Sequence, residues 1–106
     1  MSAVQPTRER RRGLVQAWKA AHEKAGEILF AEDPIGINYE TNTREYDLEV
    51  GTILPRLRTC NSVAEVRVVL HEEFGHWFGA EMVGPSEKYQ RIAERLWAEV
   101  MPSLRG

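Results

Sequence analysis

The sequence predicts an all-α domain, an irregular four-helix bundle with a long loop between its first and second helices. Three observations predict it. Apolar residues recur at three- and four-residue steps in four separate segments, capping residues or Gly and Pro bound those segments, and no stretch alternates like a run of paired strands. At 106 residues, 42% hydrophobic and 28% charged, the chain has the size and balance of one globular core. Residues 8 to 106 are therefore expected as a single domain behind a flexible arm of residues 1 to 7.

The first helix is expected from about Arg8 to Ala31, with Leu14, Trp18, Ala21, Ala25 and Leu29 on one face. His22 falls in that stripe and reads as a hydrogen-bonded core histidine. The residue before a proline is pushed out of the right-handed helical region, and here it is Asp33, so the helix should end near Glu32. Asp33-Pro34-Ile35-Gly36 then fits a type I turn, since Asp suits its first position, Pro presets φ at the second and Gly tolerates the exit. Residues 37 to 41 read as loop.

Asn42-Thr43-Arg44-Glu45 has the form of a capping box, which would open the second helix with Tyr46, Val50, Ile53, Leu54 and Leu57 buried. Pro55 lacks an N–H for Gly51 and crowds its carbonyl, predicting a kink or stop near Leu54. Ser62-Val63-Ala64-Glu65 is a clearer capping box, directly before the stripe Val63, Val66, Leu70, Phe74 and Trp77 of the third helix. Val68 lies roughly 150° from the centre of that stripe, so one buried face does not account for it. Gly79 and Gly84-Pro85 bound the next loop. A fourth helix should run from about Ser86 to Met101 with Tyr89, Ile92, Ala93, Leu96, Trp97 and Val100 inward, and Pro102 should close it. Trp18, Trp77 and Trp97 are expected to share one core.

Charge narrows the function classes. The formal net charge is -2, but residues 1 to 12 carry four Arg and one Glu, leaving an acidic remainder. Duplex binding is dominated by Lys and Arg on phosphate, so an acidic body points to a protein partner before nucleic acid. Arg8, Arg10, Arg11 and Arg12 could still form a nucleic-acid arm, although no interleaved aromatics accompany them. Cys60 is the single cysteine, so no intramolecular disulfide forms and a cytoplasmic location is expected. No apolar run approaches the roughly 20 residues of a membrane span. Arg10-Arg11-Arg12 is not read as an export signal, because Lys19, His22, Glu23 and Lys24 interrupt the apolar segment such a signal needs.

Two clusters carry candidate chemistry. His71, Glu73 and His76 suggest a metal site, yet the histidines are five residues apart, roughly 140° around a helix, where a zinc-binding pair needs four. Glu73 and His76 form one E-x-x-H without the second copy that a di-iron bundle requires. Asp33, Glu40, Glu45 and Asp47 could supply an acid and base pair or hold a hard cation, with Asp33 and Asp47 as the pair. Glu45 and Asp47 also suit the positive end of a helix dipole without any function. No nucleophile elbow or phosphate-cradling glycine loop is present, and no cofactor is expected.

Asp33-Pro34-Ile35-Gly36, then Glu45-Tyr46-Asp47, then an apolar helix and a capped third helix resembles a family of small bacterial helical domains of unknown function, some of whose relatives look like immunity proteins of toxin systems. The resemblance covers roughly residues 28 to 100. An aromatic often precedes the Asp-Pro in that family, where this chain has Glu32. The resemblance implies a helical fold and supplies no catalytic residues. A protein-binding module, such as a toxin-neutralising immunity protein, is the expected function, with Glu40, Glu45, Asp47, Glu72 and Glu73 on the binding face. The alternatives are a small enzyme or metal-binding protein built on either cluster, and nucleic-acid binding through the arginine arm. A homodimer is expected to use Val68 and Leu48, provided that they form one exposed patch.

Overall fold

The computed structural model describes residues 8 to 36 and 46 to 105, with side chains placed from Val15 to Gly36 and from Tyr46 to Leu104. The expected arm of residues 1 to 7, together with Glu40, Asn42 and Glu45, lies outside the described residues. The described chain is all-α: α1 spans Arg8–Glu32, α2 Asp47–Leu57, α3 Val63–Val83, α4 Gln90–Glu99 and α5 Met101–Arg105. A 3-10 turn at Ser86–Tyr89 leads into α4. Five α-helices thus stand among the described residues where four were expected. Helix α1 packs on α2, α4 and α5, while α3 packs on α2 and α4. These contacts close a ring of four helices around the core, with α5 laid against α1 and α4.

Helix α1 ends as the turn residues dictate. Asp33 donates its amide to the Leu29 carbonyl at 2.7 Å and takes φ 47°, and Gly36 closes the turn on the Asp33 carbonyl at 3.2 Å. Proline does exclude Asp33 from the right-handed region, but into the left-handed one, which Asp tolerates better than most side chains. Glu32, the last helical residue, accepts from Arg95 Nη1 at 3.2 Å and pairs with Arg91 Nε at 3.2 Å. The Glu32 carboxylate therefore fastens α1 to α4.

Helix α2 differs from expectation at both ends. It begins at Asp47, after Tyr46 in a non-helical conformation (φ -105°, ψ 12°), where Tyr46 was expected inside the helix. It also runs through Pro55 to Leu57 without a stop at Leu54. Pro55 falls in the last turn, where a single bond is lost, and Gly51 opposite its ring is exposed and has no side chain to add to the crowding.

The third helix opens as the sequence predicts. The Ser62 hydroxyl accepts from the Glu65 amide at 3.2 Å, and the Glu65 carboxylate reaches back to the Asn61 amide at 2.8 Å. Gly79 (φ 88°, ψ 162°) interrupts it, in a region only glycine occupies readily. One more turn follows to Val83, where a loop was expected. At the far end, Val100 separates α4 from α5, and Pro102 sits in the first turn of α5, where its absent N–H would have had no helical partner.

Phe74 is the hub of the core. Tyr46 meets it edge-on at 5.9 Å between ring centroids, and Tyr89 and Phe78 stack on it at 5.6 and 5.8 Å. Around these rings lie Ile28 and Leu29 of α1, Leu54 and Leu57 of α2, Leu70 of α3 and Leu96 of α4, all buried. The tryptophans do not share this core: Trp18 and Trp97 are partly buried at its margin, whereas Trp77 is 39% exposed. Burial pushes the Tyr89 hydroxyl up to about 12, and that hydroxyl donates to the Val83 carbonyl at 2.7 Å.

Candidate functional site: the α2–α3 face

Helices α2 and α3 run antiparallel, because the earlier α2 residue meets the later α3 residue. Thr52 of α2 touches Trp77, and Arg56, one turn on, touches Glu72 and Glu73. Arg56 Nη2 donates to Glu72 Oε1 at 2.6 Å and Nη1 to Glu73 Oε2 at 2.9 Å. A guanidinium presents divergent N–H groups, which lets one arginine hold two adjacent carboxylates. Its hydrogen bond to Glu72, followed by that to Glu73, holds the Arg56 pKa above the ordinary value. The two glutamates expected to offer free negative charge are thus already neutralised in part.

Trp77 stands beside this cluster. Its indole Nε1 donates to the Thr52 hydroxyl at 3.0 Å, which in turn donates to the Glu49 carbonyl at 3.0 Å. The relay fixes the ring edge on α2 and leaves a large apolar surface in solvent. Leu48, one turn before Thr52, is 71% exposed, and Met82 beyond Gly79 is 50% exposed. The sequence places Trp77 on the buried stripe of α3 by its angle, and that angle gave no sign of its exposure.

The remaining expected site residues are dispersed. The Tyr46 hydroxyl donates to Asp33 Oδ1 at 2.8 Å and accepts from the Ile35 amide at 3.3 Å. Asp47 is half-buried, its carboxylate facing Gly26 of α1. His71 Nε2 lies 2.9 Å from the Gly84 carbonyl and its ring meets Tyr89 edge-on at 6.0 Å. Glu73 is on Arg56, while exposed His76 meets Trp77 edge-on at 6.5 Å. His71 and Glu73 therefore turn to different neighbours, and among the described residues no three His, Cys, Asp or Glu side chains converge in a way that could hold a metal ion.

Val68 and Leu48 are both exposed. The side chains of Arg8, Arg10, Arg11 and Arg12 lie outside those described. Among the described residues no helix is long and apolar enough to cross a membrane, and Cys60 is a buried cysteine whose Sγ lies 3.6 Å from the Arg56 carbonyl.

No protein-family model, curated protein or solved structure matches this chain.

Proposed function

We propose that the chain is a protein-binding module that uses the α2–α3 face, with Trp77 as its anchor and Glu72 and Glu73 at its edge. The observation that carries this reading is the exposed Trp77 ring, held by Thr52 and set beside the Arg56 cluster. Tryptophan and arginine are the side chains that most often dominate binding energy at protein interfaces, and an indole already fixed at its N–H loses little freedom on association. A partner surface with an apolar recess for the indole and a basic rim for Glu72 suits this face. Asp47 is less suited to it, being half-buried against α1.

The toxin-neutralising form of this role rests on the resemblance carried by Asp33-Pro34-Ile35-Gly36 and Glu45-Tyr46-Asp47. A cytoplasmic setting fits a chain with a single, buried cysteine. Binding is tested by measuring the affinity of a recovered partner for the unmodified chain and for Trp77→Ala. A loss of at least tenfold is expected, and equal affinities would remove Trp77 from the interface. Rescue of host cells from a co-encoded toxic protein tests the finer reading separately.

Val68, exposed on the outer side of α3, favours a second copy of the chain as a further partner. Sedimentation at several concentrations, with Val68→Asp as the control, decides whether such a dimer forms.

A further inference from the structure

We propose that a cleft at the C-terminal end of α2 binds a medium-chain alkyl carboxylate. The cleft has a volume of about 360 Å³ and is lined by Val15, Ala17 and Trp18 of α1, Arg58 after α2, and Ser103 and Leu104 of α5. That volume is at the lower end of small-ligand sites. Four of the six lining residues are apolar. The other two, the Arg58 guanidinium and the Ser103 hydroxyl, can both donate hydrogen bonds, and no carboxylate stands among the described residues that line the space.

Arg58 differs from the other arginines whose side chains are described. Arg56, Arg91 and Arg95 each meet a carboxylate, and Arg67 donates to Gln90 Oε1 at 2.9 Å. The Arg58 side chain has no hydrogen-bond or ion-pair partner among the described residues and is exposed beside the cleft. A largely apolar lining next to an uncompensated fork of donors matches a ligand with an apolar body and one planar anion. A neutral chain would leave the guanidinium unused, and a cationic head would be repelled by it. The site is separate from the Trp77 face, since Arg58 lies six residues, or roughly 9 Å along the axis, beyond Thr52.

Calorimetric titration of the full chain with decanoate, decanol and decyltrimethylammonium, each below its aggregation concentration, tests the proposal. Decanoate is expected to bind one per chain and at least tenfold more tightly than either other probe. Arg58→Ala, at an exposed position where the fold is retained, should weaken decanoate about tenfold. Trp77→Ala should leave it unchanged, which keeps this result independent of the protein-binding reading. Equal binding of the three probes, an unchanged affinity in Arg58→Ala, or no saturable binding would overturn it. So would a dimer, formed without decanoate and broken by Arg58→Glu, because the cleft would then belong to a second copy.

Discussion

The two ends of α2 present opposite kinds of surface. Towards the N-terminal end the Tyr46 hydroxyl is bonded to Asp33 and, midway along the helix, the Trp77 indole to Thr52, so apolar area is what remains of that ring for a partner. At the C-terminal end apolar side chains line a cleft, and Arg58, without an ion-pair partner among the described residues, stands beside it. A projecting ring with its dipoles already bonded suits another protein's surface, whereas a cleft with a cation beside it suits a small anion. One short helix therefore borders two distinct recognition chemistries less than about two turns apart.

Both ends hang on the same core, and the largest effect should come from breaking it. Phe74→Ala removes the ring shared by Tyr46, Tyr89 and Phe78 and should cost about 3–5 kcal/mol in a denaturant titration. Both surfaces would be lost together, and a selective loss of one would show that the ends are supported separately. Tyr46→Phe acts at the N-terminal end alone: it leaves Asp33 without that donor and the Ile35 amide without its acceptor, for about 1–2 kcal/mol. Ser62→Ala acts at the turn behind the C-terminal end and should cost about 1 kcal/mol through the lost cap. Arg56→Met cuts the tie between α2 and α3 midway. Because the arginine is partly exposed, this change should cost no more than about 1 kcal/mol and depend on salt.

The titration of Tyr89 has no effect on stability at neutral pH and acts only in alkali. Burial raises its hydroxyl to about 12 against 10.0 in an exposed tyrosine. Below pH 10 both states keep the proton. Between pH 10 and 12 the unfolded chain loses it first, so stability falls as pH rises through that window. The melting midpoint of Tyr89→Phe should fall less steeply there than that of the unmodified chain.

The fold was legible where local chemistry decides it. Ser62 and Glu65 cap α3 as their spacing predicts, and Asp33-Pro34 ends α1. Angular periodicity also placed Leu70, Phe74, Ile92 and Leu96 inward. It failed at Trp77, because an angle names a face but not what the neighbouring helix offers opposite it, and α2 offers Thr52. Glu32 to Arg91 and Arg95 joins residues about sixty positions apart, and no local pattern encodes such a pair. Pro55 was misjudged because the cost of a helical proline depends on how much helix follows it, and here only Arg56 and Leu57 do. Of the expected acidic face, Glu72 and Glu73 do come together, but on Arg56. That tie shifts the reading of the site from free charge to an anchored aromatic.

The most direct test of the α2–α3 face is quantitative capture from the native host with three immobilised chains: unmodified, Trp77→Ala and Arg58→Ala. One protein should be retained at a fixed stoichiometry by the unmodified chain and by Arg58→Ala, and lost with Trp77→Ala. Equal retention on Trp77→Ala, or no stoichiometric partner on any of the three, would contradict the assignment of this face to protein binding.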